Sequence, residues 1–301
     1  MLVKVSIIIP TYKRGDSLLD RAIQSALQQT HPNIEVVVVD DNPALPEHRL
    51  QTEQIMAPYA ADARIVFLQN EQNLGGAGSR NVGIERATGD YITFLDDDDV
   101  YLPEKVAAQL AYMETNDLDM SFTDLRIHGM DERLIDYRQF ASIRNFTPAA
   151  LFRYHLLHHI TGTPTFMYRS EAMRRIGGFD VVPMGQEFYL MVKTIRAELK
   201  VGYFNQCHVI AYIHDGEKIS SGPGKLKGER ALYEFKKQQF KQFSWRERMY
   251  MKSRHHAVMA LAQRRSGQTM AAVRELLLAV IASPWAAFSE MIRYFRRLRS
   301  K

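Results

Sequence analysis

A chain of 301 residues, 46% apolar and 24% charged, has enough material for one large α/β domain with a smaller appendage. That balance excludes a disordered or collagen-like chain. The single cysteine, Cys207, excludes an internal disulfide and a cysteine-based zinc site, and points to a reducing compartment. The net charge of +5 is unevenly spread: residues 1–224 carry 21 Lys and Arg against 29 Asp and Glu, a balance of −8, whereas residues 225–301 carry 18 against 5, a balance of +13.

The first ten residues are apolar but have no basic lead and no small-residue cleavage site, so they read as a strand over 3–9 ending at Pro10, not as a signal peptide. Asp16 and Ser17 open a predicted helix whose apolar positions (Leu18, Leu19, Ala22, Ile23, Ala26, Leu27) recur at helical spacing. A second strand over 34–39 stops at Asp40, Asp41, Asn42 and Pro43, one βαβ unit further on. The pattern then repeats. A helix is predicted near 47–59 and a strand over 64–69. The glycine-rich stretch 73–78 opens a helix to about residue 87, and a strand over 91–95 runs into four aspartates, Asp96 to Asp99. Pro103 begins a helix over 104–114.

The middle is less regular. Strands are predicted over 119–127 and 161–169, a helix near 148–156, a turn over 176–180, a helix over 186–197, and a strand near 207–213. A linker is expected at 220–224, with basic helices beyond it. Alternating strands and helices of this kind build a mostly parallel sheet covered on both faces. No apolar run reaches the roughly 20 residues of a membrane span; the longest, Leu276 to Phe288, is broken by Ser283 and Pro284.

In open α/β sheets, ligands bind outside the carboxyl ends of the strands. Here three strands end in polar clusters: Pro10, Thr11 and Tyr12; Asp40 and Asp41; and Asp96 to Asp99. Acids at a helix start complement its dipole, which accounts for two of the four aspartates. Four in a row repel strongly without a cation, and Mg²⁺ or Mn²⁺, which take carboxylate and phosphate oxygens, fit that need. Asp40 and Asp41 suit either an Asx turn before Pro43 or a ligand for a base or ribose. The stretch 73–78 lacks dinucleotide-fingerprint spacing and does not follow the first strand. Arg80 beyond it suits either a phosphate or an exposed helix face.

Taken together, these segments resemble the family 2 inverting glycosyltransferases of the GT-A fold. The resemblance is carried in family order by VSIIIPTY (5–12), VVVDD (37–41), NLG (73–75) with Arg80 and Asn81, GDYITFLDDDD (89–99), GGFD (177–180), GQE (185–187) and YIH (212–214). It covers about residues 3–220. It implies a GT-A type mostly parallel sheet flanked by helices (a nucleotide-diphospho-sugar transferase fold) over 1–224; the basic, aromatic-containing helical region expected over 225–301 lies outside it. It also implies that Tyr12 and Asp41 meet uracil, with Pro10, Thr11, Arg14, Asn73, Gly75 and Arg80 on the donor. The DxD motif falls on Asp96, Asp97 and Asp98: Asp98 is the metal ligand and Asp97 lies near the ribose or sugar, while Asp99 supports them or caps a helix. The late His214 is expected on the metal or diphosphate. The family base, usually the Asp of a Glu-Asp pair, is replaced here by Gln186 and Glu187, so Glu187 is the expected catalytic base and Asp180 the fallback. His158 and His159 are placed on the acceptor side.

The implied reaction is a metal-dependent displacement moving a sugar from a UDP-sugar to a hydroxyl of a glycan or lipid-linked acceptor, with Mn²⁺ or Mg²⁺ as cofactor. A nucleotidyltransferase, which would release pyrophosphate, and a non-catalytic nucleotide-sugar-binding partner are the alternatives. For the +13 region three readings stand: a helical hairpin packed on the catalytic domain, an amphipathic anchor on an anionic membrane, and nucleic-acid binding. The last ranks lowest, because no recognised motif accompanies the charge. The expected location is the cytoplasm, at the inner face of the membrane.

Overall fold

The structure is a computed structural model that describes residues 2–14, 17–43, 46–213, 224–288 and 292. Asp16, His214, most of the expected linker and the basic end at 293–301 lie outside the described residues. The elements run in order β1 (Val5–Thr11), α1 (Ser17–Leu27), β2 (Ile34–Asp40), α2 (Pro46–Met56), β3 (Ile65–Gln69), α3 (Gly75–Arg86), β4 (Tyr91–Phe94), β5 (Val100–Tyr101) and α4 (Lys105–Thr115). There follow β6 (Met120–Thr123), β7 (Leu125–Gly129), β8 (Leu134–Arg138), α5 (Pro148–His158), β9 (Met167–Arg169), α6 (Ser170–Arg175), α7 (Gln186–Arg196), β10 (Val201–Phe204) and β11 (Val209–Ile213). The C-terminal helices are α8 (Gly224–Gln238), α9 (Trp245–Arg265) and α10 (Thr269–Ala282).

Seven strands form the main sheet in the order β10-β6-β9-β4-β1-β2-β3. Its pairs are parallel except those of β9, which runs against both β4 and β6. Strands β1 and β2 are rich in β-branched residues and buried on both faces, as parallel strands covered by helices must be. Their side chains alternate between two cores: Ile8, Val37 and Val39 pack with α3 and α7, and Ile7, Ile9, Val36 and Val38 with α1 and α4. Gly83 lets α3 lie directly on β1, since a Cβ there would stand 2.5 Å from Ile8 Cγ2.

Four further strands, β5-β11-β7-β8, make a second sheet. The predicted strand over 119–127 divides at Asp124 into β6 and β7, one in each sheet. The Asp124 carboxylate takes the hydroxyls of Tyr137 and Tyr203 where the chain changes sheet. The run 161–169 gives a tight turn at Thr163–Thr165 and only three residues of β9. Strands β5, β8 and β10 and helix α6 are not in the sequence reading.

The C-terminal helices pack on the body. Leu232, Phe243 and Met251 close a core with Leu156 and Leu157 of α5 and with Phe188 and Val192 of α7. Arg153 pairs with Glu247 at 2.5 Å, and Arg254 donates to the Leu157 carbonyl at 2.6 Å. Ser244 and Glu247 form a reciprocal cap that starts α9. Helices α9 and α10 pack as a hairpin, joined by His256 and Glu275 at 2.6 Å. No described helix is long and apolar enough to cross a membrane.

Candidate active site

Register assembles the rim. Thr11 pairs with Asp40 across β1 and β2, and Ile8 pairs with Phe94 across β1 and β4. Three residues beyond the second pair, Thr11 and Asp97 therefore meet side by side, and Thr11 Oγ1 donates to Asp97 Oδ2 at 2.8 Å. The three polar strand ends thus converge as the sequence requires.

The four aspartates alternate in exposure. Asp97 and Asp99 are buried, while Asp96 and Asp98 are more open. Asp97, expected beside the ribose or sugar, is turned inward, where Arg14 Nε donates to it at 3.2 Å; Arg14 also reaches Asp98 at 3.2 Å. Arg80 pairs with Asp96 at 2.5 Å. Asp99 accepts the Tyr212 amide at 3.1 Å, tying the second sheet to the rim. The repulsion anticipated within the cluster is thus relieved in part by two arginines of this chain, a contribution the sequence argument for a metal left out. Burial pushes the Asp97 carboxyl up to about 6, against the pull of Arg14. Burial, followed by the charges of Asp96 and Asp98, lifts Asp99 well above the usual carboxylate range.

Among the described residues no group of three or more His, Cys, Asp or Glu is arranged to hold a metal ion. The open pair Asp96 and Asp98 offers the hard oxygen donors that a Mg²⁺ or Mn²⁺ ion takes alongside substrate phosphates, so the acids present suit such an ion.

Asp41, expected at a nucleobase, lies beneath the glycine-rich stretch. Its Oδ1 accepts the Leu74 amide and Asn70 Nδ2, both at 2.8 Å, and its Oδ2 accepts the Gly75 amide at 2.8 Å. Asn73 Nδ2 donates to the Asp41 carbonyl at 3.0 Å. An acid from one strand end thereby satisfies the orphan amides at the start of α3. The Asx-turn alternative holds at Asp40, which accepts the Asn42 amide at 3.0 Å. Asn42 in turn accepts the Lys13 amide at 2.8 Å, which fixes the segment carrying Tyr12. The Tyr12 ring is 43% exposed at this corner, and Pro10 is half-buried just before it.

Arg80 is not an exposed helix charge. It spans the rim, holding Asp96 on one side and accepting company from α7 on the other, where it donates to Gln186 Oε1 at 3.2 Å. Gly185 precedes α7 with φ at +79°, a left-handed conformation that turns the helix start toward the rim. Glu187 sits in the first turn. Burial raises its pKa, opposed by its own amide and by Arg80 and favoured by Asp96. Asp180, the fallback base, is paired with Lys193 at 3.0 Å. The turn at 177–180 is latched to α3, because Asn81 donates to the Phe179 carbonyl at 2.9 Å and accepts its amide at 2.8 Å.

His158 and His159 face the C-terminal helices: His158 packs on Tyr250, and His159 Nε2 lies 2.6 Å from Lys236 Nζ. Sequence reasoning missed Asn42 and Asn70, whose only signal was their place just after strand ends. It also missed Arg21, which bonds the Asp98 carbonyl at 3.1 Å and lies over the Tyr212 ring, and which carried no signal at all.

The sequence profile described as glycosyl transferase family 2 matches residues 6–177, more than half of the chain. The chain belongs to this family. An uncharacterized glycosyltransferase of Methanocaldococcus jannaschii is 29% identical over 198 residues, 65% of this chain and 66% of its own length. The Escherichia coli enzyme named UDP-Glc:alpha-D-GlcNAc-diphosphoundecaprenol beta-1,3-glucosyltransferase WfaP is 36% identical over 123 residues, 41% of this chain and 46% of its own. The matched part thus spans less than two thirds of these relatives. Staphylococcus aureus TarS 1-349, solved with UDP-GlcNAc, superposes with a TM-score of 0.60 at 18% identity, over 97% of this chain and 89% of that one. The fold of this family 2 member is of the GT-A type. The family match holds the whole aspartate rim and ends before α7, so Glu187 lies outside it.

Proposed function

We propose that the protein is a metal-dependent inverting glycosyltransferase that moves a sugar from a UDP-sugar to a hydroxyl of a glycan or lipid-linked acceptor. The observation that carries this reading is the rim itself, where Arg80 connects the open carboxylate Asp96 to the start of α7, one residue from Glu187. The names of the relatives support the donor and acceptor classes: one carries UDP-Glc and a diphosphoundecaprenol acceptor in its title, and the TarS structure holds UDP-GlcNAc.

In this reading the exposed Tyr12 ring lies along the uracil, with Pro10 and Thr11 beside it, while Asp41, Asn73 and Gly75 shape the loop under the nucleotide. Arg14 and Arg80, held at the rim by Asp97, Asp98 and Asp96, meet the phosphates. Glu187 takes the acceptor proton as the hydroxyl oxygen bonds the anomeric carbon. The bond from that carbon to the phosphate oxygen breaks, and its electron pair leaves with UDP. A raised pKa makes Glu187 a stronger proton acceptor than an ordinary glutamate. Mg²⁺ or Mn²⁺ held by Asp98, with Asp96 beside it and His214 as a further ligand, would neutralise charge on the leaving diphosphate as a Lewis acid. The enzyme works at the cytoplasmic face of a membrane, which residues 225–301 contact peripherally.

The test is a melting experiment with UDP, with and without Mn²⁺, on the wild type and on Asp98→Ala. UDP should stabilise the wild type more strongly with Mn²⁺, and the variant should lose that increment. Full metal-dependent stabilisation of the variant would remove Asp98 from the metal.

A further inference from the structure

Helix α10 presents to the protein what a surface helix normally presents to water. The side chains it turns inward are small or polar: Ala272 and Ala279 are buried, and Glu275 bonds His256. The large apolar ones point out. Met270 is 83% exposed and Ile281 77%, with Val273 and Leu277 also exposed. At 3.6 residues per turn these four fall within an arc of about 80°. Ser283 interrupts the helix, and a helical turn at 284–288 prolongs the apolar surface with Trp285, 79% exposed, and Phe288. Such a surface exceeds the scattered apolar residues normal for a soluble protein and marks a contact site.

Charge identifies the contact. Arg274 is exposed at the edge of the apolar arc, Arg264 and Arg265 at the hairpin end, and Arg246 near the start of α9. Glu275, the one acid of α10, is engaged inside the hairpin. The sequence after this surface adds Arg293, Arg296, Arg297, Arg299 and Lys301, within a region whose balance is +13. A second copy docking the same face would set one +13 region against another. An anionic bilayer offers both an apolar layer for the side chains and a negative surface for the arginines.

We propose that the outward face of α10, continued by Trp285 and Phe288, is the surface by which the protein seats on an anionic membrane. The proposal rests on the peripheral contact assigned above to residues 225–301 and names the face that makes it. Apolar insertion and charge act together, so neutral vesicles bind weakly and added salt releases the protein.

The chain has two tryptophans, so Trp245→Phe leaves Trp285 as the sole indole reporter. This full-length variant is mixed with vesicles of phosphatidylcholine, with or without phosphatidylglycerol, containing brominated lipid. Trp285 should be quenched only with the anionic vesicles. Leu277→Ser with Ile281→Ser in the full chain should lower vesicle partitioning by at least about tenfold, with the melting temperature and UDP stabilisation unchanged. Vesicle binding without quenching, and without loss in the double variant, would leave the region as the contact but overturn this face. Absence of any vesicle binding would overturn both. A lipid-free dimer in sedimentation that the double variant dissolves would assign the face to a second copy instead.

Discussion

The rim and the C-terminal helices treat charge in opposite ways. At the rim, acids are drawn inward: Asp97 is bonded to Thr11 and Arg14, Asp99 to the Tyr212 amide, and Asp41 to the amides of the glycine-rich loop. In the C-terminal helices two acids are also taken inside, Glu229 by His255 and Glu275 by His256, but Arg264, Arg265 and Arg274 and the large apolar groups on the outer face of α10 stay outside. The rim leaves Asp96 and Asp98 partly exposed within their arginine pairs, whereas the helices leave a whole face exposed.

The most severe way to break this contrast is chemical. Glu187→Gln removes the proposed proton acceptor and keeps the shape of α7. Transfer should fall by roughly 10²–10⁴-fold with UDP stabilisation unchanged, as steady-state rates and melting curves would show. Near-normal turnover would hand the role to another acid.

The second break is at the seam between the two regions. Phe188 is 1% exposed and stacks on His155 with ring centroids 4.4 Å apart, and Phe235 of α8 meets its edge. Phe188→Ala should cost about 3–5 kcal/mol in urea unfolding. A loss below about 1 kcal/mol, the range of surface changes, would show that the C-terminal helices do not seat α7.

The mildest test uses pH. Burial lowers Lys236 to about 7 from 10.5, helped by Arg254 and opposed by Glu229, and its neighbour His159 is lowered too. Between those values the unfolded chain holds a proton that the folded chain has released, so stability rises with pH, by at most about 1.4 kcal/mol per unit. Unfolding at pH 7 and pH 9 should therefore differ by about 2 kcal/mol in the wild type, and Lys236→Met should flatten the difference. An unchanged slope in the variant would place the titration elsewhere.

Most of the parallel layers were legible because β1, β2 and β4 are mainly β-branched or aromatic runs ending in polar clusters, and helices between them carry helical periodicity. The rim could be placed for the same reason: strand ends of a parallel sheet share one edge. Short strands such as β8 and β10 gave no period to read, and they exist because neighbouring strands supply their partners. Within the site, alternation along Asp96 to Asp99 was readable in principle, but the inward pairing of Asp97 depends on Arg14 folding back across the rim. The bond from Arg80 to Gln186 links positions 106 residues apart, a distance no local pattern conveys. The direction α10 faces was equally hidden, since helical spacing gives a stripe without saying which side of it meets the protein.

The seam at Phe188 also has a consequence for synthesis. A ribosome releases the chain from the N-terminus, and domains fold as their segments emerge. The sheet and α7 are complete by residue 213, yet the side chains that cover Phe188 and Val192 from the far side, Leu232, Phe243 and Met251, come only later. During that interval the helix bearing Glu187 has an apolar flank open to water and to other nascent chains. Helices α8 and α9 thus close over the helix bearing Glu187, and a chain interrupted before residue 251 would retain the rim while leaving that helix uncovered.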